Sequence, residues 1–180
     1  MNQSIFLFIN NVAGRWFFLD QLMVFFAVYL VFVIIVTVLI FEIKGYLHPV
    51  WAARWRNMAV VALGSALVAR FGVVSLIRLF YYHARPYLVI VETHLLVARD
   101  SASSFPSGHT TFVFALATAV YAYNKKMGAW FYLMACLVGF ARIFVGIHWP
   151  YDIGVGAILG ILTGLACNWI FKKYKHVVGL

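Results

Sequence analysis

The stretch Leu22–Phe41, LMVFFAVYLVFVIIVTVLIF, decides the fold: it is 20 residues long and carries no charge. A helix of about 20 apolar residues spans the hydrocarbon core of a bilayer. Inside that core every backbone amide must be satisfied internally, which leaves helices and closed barrels as the spanning structures. The rest of the chain agrees. Of its 180 residues, 65% are hydrophobic and 11% are charged, against about 25% charged in a soluble domain. The mean hydropathy is +0.94. The expected class is all-α, an integral membrane helical bundle with residues 1–180 forming one membrane-embedded domain.

Four further spans lie downstream. Asn57–Tyr82 is interrupted by Arg70 and Arg78, and Thr110–Tyr123 is short. Met127–Ala141 runs on past Arg142 toward Ile147, and Ile153–Phe171 is uncharged. Residues Ser4–Leu19 are too polar for a clear span. They are expected to form an interfacial or re-entrant helix, with a sixth crossing as the alternative. Asn10, Asn11 and Arg15 also argue against a cleavable signal there. Five crossings place Lys44, Arg54 and Arg56, then Lys125 and Lys126, then Lys172, Lys173 and Lys175, on one side. Basic short loops mark the cytoplasmic face, so the C-terminus is expected inside and the N-terminus outside. The net charge of +9 is read as this anchoring charge. Nothing has the form of a soluble nucleic-acid module, and no nucleic-acid partner is expected. Cys136 and Cys167 sit in apolar stretches as packing residues, without metal-ligand spacing.

Three motifs fall on the other, outer side. The first is Arg78-x6-Arg85-Pro86. Seven residues is nearly two helical turns, so both arginines are expected on one helix face, with Pro86 marking the helix end. Arginines here could simply snorkel to head groups, yet a charge within a span is a functional hypothesis by default. The second is Pro106-Ser107-Gly108-His109 at the start of the third span. Ser107 suits an N-cap, and Gly108 lets a ligand approach the backbone. A helix N-terminus also favours an anion such as phosphate. The third is Arg142-x5-His148-x3-Asp152. A carboxylate beside a histidine can hold its Nδ1–H, fix the tautomer and stabilise charge on the ring. Asp152 also suits a cap for the last helix.

Three arginines, two histidines and one aspartate on one side of a membrane call for an anion, and planar guanidinium groups match phosphate oxygens. Two histidines in different environments can divide nucleophile and acid–base work. The donor set offers no carboxylate cluster and no Cys/His set for a metal, so no cofactor and no metal are expected. A small channel or transporter with a basic anion pathway is the rival from another class. Arg70, about 12 Å deeper than Arg78 by helix rise, fits it, but a transporter needs no His109 or His148–Asp152 pair.

With these motifs the chain resembles the type 2 phosphatidic acid phosphatase superfamily, whose active-site design is shared with vanadium haloperoxidases. The family pattern is Lys-x6-Arg-Pro, Pro-Ser-Gly-His and Ser-Arg-x5-His-x3-Asp. All three occur here in order and with matching spacing across Arg78–Asp152. Two positions depart: Arg78 stands for the usual Lys, and Ala141 for the usual Ser, removing one hydroxyl contact to phosphate. The resemblance implies these roles. His148 attacks phosphorus to form a phosphohistidine, and Asp152 orients it. His109 protonates the leaving group and then activates water. Arg78, Arg85, Arg142, Ser107 and the Gly108 backbone hold the phosphate oxygens.

The size, the outward site and the stretch Asp100–His109 resemble the bacterial undecaprenyl pyrophosphate phosphatases of the bacitracin-resistance type. That resemblance implies a bacterial plasma-membrane enzyme, with a membrane lipid phosphate and the bilayer as its partners. Phosphatidylglycerophosphate and phosphatidic acid phosphatases, and lipid phosphotransferases, share the motif residues and are the rivals within the family. The sequence sets no oligomeric state. Glu92, His94, Arg99 and Asp100 are expected in a solvated outer loop, and His83 is expected to point away from the arginine face. His48 and His176 are expected on the cytoplasmic side.

Overall fold

The computed structural model describes residues 2–47, 52–99 and 103–178. Helix α1 is Asn2–Asn10. Helix α2, residues 17–47, joins Phe17–Val24, a π-helical turn Phe25–Tyr29, and Leu30–Leu47. Helix α3, residues 52–80, joins Ala52–Leu67, a second π-helical turn Val68–Val74, and Ser75–Phe80. Then come the short α4, Pro86–Val89, α5, Gly108–Tyr123, α6, Lys125–Phe144, and α7, Pro150–Val178. The described residues contain no strand.

Four of these helices are long and apolar enough to cross a membrane: Phe17–Lys44, Ala53–Phe80, Lys125–Phe144 and Pro150–Tyr174. Helix α5 has 16 residues, about 24 Å at 1.5 Å per residue, which falls short of a hydrocarbon core of roughly 30 Å. It is nevertheless the centre of the bundle. It packs on α3, α6 and α7, and Gly108, Thr110, Thr111 and the run Val113–Val120 are buried. A helix shielded by its neighbours need not match the lipid. The backbone carbonyl of Tyr123, at its C-terminal end, accepts from Arg54 on the basic end of α3. The N-terminus of α5, with Gly108 buried and His109 half-buried, lies at the opposite end. Asn124 ends α5 in an extended conformation and then caps α6, its side chain accepting from Met127 N–H at 3.1 Å.

A small-residue stripe on α7 makes the central contact close. Gly156, Gly160 and Gly164 face α5: a Cβ on Gly160 would lie 2.5 Å from the Thr111 carbonyl, and one on Gly164 2.8 Å from that of Ala115. Membrane helices approach through such stripes because apolar side chains gain nothing by leaving lipid for one another.

Two sequence expectations need correction. The second span does not persist to Tyr82. It stops at Phe80, where Tyr81 turns extended (φ −138, ψ 113). Arg85 therefore lies on no common helix face with Arg78; it is the N-cap residue of α4, with Pro86 in the first turn, where proline's missing N–H costs nothing. Residues 4–19 are not one segment either. Helix α1 has nine residues, about 14 Å, too short to cross, so the sixth-crossing alternative fails. A turn follows with Gly14 at φ 80, and Phe17–Leu19 already belong to α2.

Asn10, read from sequence only as a polar interruption, is a fully buried clamp. Its amide donates to the carbonyls of His94 (2.9 Å) and Phe144 (2.8 Å) and accepts from His94 N–H (2.9 Å). It ties α1 to the outer loop and to the end of α6. A buried amide left unpaired costs about 1–3 kcal/mol, so the clamp fixes the loop that borders the site.

Candidate active site

The site forms where three irregular segments meet the start of α5, at the end of the bundle opposite the basic residues. The turn after α6 is the first. Gly146 adopts φ 87, and a Cβ there would lie 2.7 Å from the His94 carbonyl. Both the left-handed backbone and the close approach demand glycine. The turn delivers His148, which is 1% exposed. Its Nδ1 lies 3.4 Å from Asp152 Oδ2, one helical turn ahead, so Nε2 faces away from the carboxylate.

Asp152 sits in the first turn of α7, and its Oδ2 also accepts from the Trp149 N–H at 2.9 Å. That bond back to the residue before the helix is one half of a capping box. Asp152 thus makes both the capping bond and a contact with the His148 ring. A third donor comes from Ser104, whose Oγ bonds Asp152 Oδ2 and lies 3.5 Å from His148 Nδ1.

Burial drives the His148 imidazole down from its usual 6.5 to about 3, aided by Arg142 and Arg85, against the upward pull of Asp152. The ring is therefore neutral at neutral pH, the state a nucleophile requires. The unfolded chain takes up this proton first, so its contribution to stability is complete above pH 6.5 and is lost as pH falls toward about 3. The thermal stability of the wild type in detergent, relative to His148→Asn, should decline across that window. A difference that is flat with pH would show that the ring is not held neutral.

The arginines are aimed by backbone carbonyls. Arg85, 2% exposed, donates from Nη1 to the Ile147 carbonyl at 3.0 Å. Arg142, 7% exposed, donates from Nη1 to the Ala27 carbonyl at 3.0 Å. Ala27 lies in the π-helical turn of α2, and a π turn leaves a carbonyl over for an outside donor. Arg78 donates from Nη2 to the Pro106 carbonyl at 2.8 Å, holding the peptide ahead of Ser107. A cavity of about 390 Å³ is lined by Arg85, Arg142 and His109, with Tyr29, Val97 and Ile147 among its walls. Planar guanidinium groups around a cavity of this kind suit a tetrahedral oxyanion.

The remaining predicted residues lie close by, with differences. Gly108 opens α5 as expected. Ser107 is at the N-cap position, but its side chain makes no cap bond; it accepts instead from Thr110 Oγ1 at 3.0 Å. Ala141 is fully buried in an apolar cluster with Ala13, Ala27 and Phe144, so the family's serine hydroxyl is replaced by an apolar wall under Arg142. His83 does not point away. Because α3 ends early, its Nδ1 comes 3.4 Å from Asp152 Oδ1. Trp149 donates from its indole to the Ala84 carbonyl at 2.9 Å, locking the His148 turn to the Arg85 segment. Neither Ser104 nor Trp149 belongs to a motif with a readable chemical role, and neither was found from sequence. Among the described residues no group of three or more His, Cys, Asp or Glu is placed to hold a metal. Arg99 lies over the Tyr87 ring at 6.0 Å. Asp100 and His48, and the side chain of His176, fall outside the described residues.

This arrangement has close counterparts. A 30% identical relative over 99% of this chain and 86% of its own length is the undecaprenyl-diphosphatase BcrC of Bacillus subtilis. The bacitracin transport permease protein BcrC of Bacillus licheniformis is 25% identical over 98% of this chain and 84% of its own. Among solved structures, LpxE of Aquifex aeolicus superposes with a TM-score of 0.69 at 28% identity, covering 92% of this chain and 93% of its own. The PAP2-type phosphatidylglycerolphosphate phosphatase of Bacillus subtilis shares the fold, with a TM-score of 0.68 at 22% identity over 95% of this chain and 86% of its own. The PAP2 superfamily profile matches residues 59–175, a stretch that contains every residue of the three motifs, so this chain belongs to the PAP2 superfamily and is a membrane lipid phosphatase.

Proposed function

We propose that this chain, acting as one membrane-embedded domain, hydrolyses undecaprenyl pyrophosphate to undecaprenyl phosphate and inorganic phosphate at a bacterial plasma membrane. The observation that carries the reading is one cavity lined by Arg85, Arg142 and His109 beside a neutral His148 held by Asp152. The names of the BcrC relatives support the substrate. In the first step His148 Nε2 forms a bond to the terminal phosphorus while the bond from phosphorus to the bridging oxygen breaks. His109 gives that oxygen a proton and the lipid monophosphate leaves. Asp152 stabilises the ring charge through Nδ1–H, and the arginines stabilise the equatorial oxygens. In the second step water gives a proton to His109 and its oxygen attacks the phosphohistidine. Inorganic phosphate departs and His148 returns to neutral. Arg78 and the Ser107–Gly108 backbone complete the phosphate cradle. No step calls for a metal. The basic ends Lys44, Arg54, Lys125 and Lys172 support a cytoplasmic C-terminus and a site on the outer face.

Purified protein in mixed micelles should release phosphate from undecaprenyl pyrophosphate at a rate unaffected by excess EDTA. The rate should exceed that on phosphatidylglycerophosphate or phosphatidic acid by about tenfold or more. Faster turnover of a glycerophospholipid would overturn the substrate. Loss of activity in EDTA, restored by Mg²⁺, would overturn the metal-free route.

A further inference from the structure

Arg70 is used by none of the three motifs. It lies within α3, in the π-helical turn Val68–Val74, inside the membrane-crossing stretch Ala53–Phe80. A charge there is costly and calls for a reason, and π turns recur at functional sites. Its side chain is laid across the start of α5: a Cβ on Gly108 would lie 2.5 Å from Arg70 Nε and 2.9 Å from Cζ. Gly108 is thus the residue that lets the guanidinium reach this position. Among the described residues Arg70 makes no hydrogen bond or ion pair, and its guanidinium lies 5.5 Å from the Phe71 ring.

The space beside it is a groove of about 240 Å³, lined by Arg70, Gly108 and His109 and otherwise by apolar side chains, Val31, Phe32, Ile35 and Phe112 among them. His109 borders both this groove and the cavity of Arg85 and Arg142. It therefore stands between two chambers, one with two arginines and one with a single arginine and apolar walls. An acid that protonates the departing oxygen must lie where the leaving group exits. With the scissile phosphate among Arg85 and Arg142, the leaving group passes His109 into the groove.

We infer that Arg70 binds the phosphate that stays on the lipid, so that this site prefers lipid diphosphates to lipid monophosphates. The inference rests on the lipid phosphatase reading above. When the bond from the terminal phosphorus to the bridging oxygen breaks, that oxygen takes the His109 proton. The departing lipid monophosphate is an anion, which the Arg70 guanidinium holds while the apolar walls take the chain. When a lipid monophosphate is cleaved, the departing group is a neutral alcohol, and Arg70 has nothing to hold.

The test uses the full chain in mixed micelles with farnesyl diphosphate and farnesyl monophosphate as matched substrates. Arg70→Gln and Arg70→Met, the second keeping an unbranched apolar stem, should each lower kcat/KM on the diphosphate by roughly 10- to 100-fold, the worth of one charged hydrogen-bonded contact. The monophosphate values should stay within about threefold. Arg70→Lys should restore most of the diphosphate activity. Equal losses on both substrates in a variant that elutes and melts like the wild type would assign Arg70 a structural role and overturn the inference. So would unchanged activity on both. A wild-type chain that releases phosphate neither from these lipids nor from undecaprenyl pyrophosphate would instead remove the proposed diphosphatase function, and this inference with it.

Discussion

His148→Ala is expected to abolish phosphate release, a loss of about 10⁴-fold or more, as when a covalent nucleophile is deleted. The argument is geometric. His148 is the ring that Asp152 holds, with Nδ1 3.4 Å from the carboxylate, and burial keeps it neutral. Removing it leaves Arg85 and Arg142 in place around the cavity, so substrate binding should survive while the covalent step cannot occur. Asp152 would not be stranded, because Ser104 and the Trp149 N–H still donate to it. The variant should therefore elute and melt as a folded protein. Quenching in alkaline SDS with substrate labelled in the terminal phosphate should trap a base-stable, acid-labile phosphoprotein in the wild type and none in the variant. Turnover within tenfold of wild type would move the nucleophile to another residue.

Much of the candidate site's arrangement was legible because it is written in short local spacings. Arg142, His148 and Asp152 lie within one turn and its flanking helices, so their spacing in sequence carries over to space. The same is true of Ser107, Gly108 and His109 at one helix start. The bundle was legible for a related reason: lipid forces long apolar runs, and α2, α3, α6 and α7 each contain one. Helix α5 was recognised as short, but its central position could not be read from hydropathy, because burial by other helices and burial by lipid select the same residues.

What escaped the sequence depends on where the backbone stops being helical. The relation between Arg78 and Arg85 rested on a helix continuing to residue 85. The chain breaks at Tyr81 instead, because the residues after it bond to the segment ahead of α5: His83 N–H to Ser103 Oγ at 3.0 Å, and Ser104 N–H to the His83 carbonyl at 2.8 Å. These are long-range bonds with no local signature. They carry His83 and Ser104 to Asp152, so one carboxylate faces two histidines and a serine where the motifs show only one partner. The two π-helical turns escaped for the same reason. Each is invisible in an apolar run, yet one supplies the Ala27 carbonyl to Arg142 and the other carries Arg70 to Gly108.

His109→Ala should be the second most damaging change, and its effect should depend on what leaves. A general acid contributes about 10²- to 10⁴-fold where its proton is needed. The alcohol of farnesyl monophosphate is a poor leaving group, and its cleavage should slow toward the upper end of that range. The nitrophenolate of p-nitrophenyl phosphate departs unaided, and its first step should change little. His109 lines both the cavity and the groove, and in the proposed mechanism it also activates water for the second step. With p-nitrophenyl phosphate the variant should therefore release one equivalent of nitrophenol in a burst and then stall as the phosphohistidine enzyme. His109→Ala with the same loss on every leaving group, and no burst, would leave His109 as a wall of the site and require another proton donor. The burst carries the argument furthest: a residue that only shaped the cavity would slow formation of the phosphoenzyme but would not cause it to accumulate.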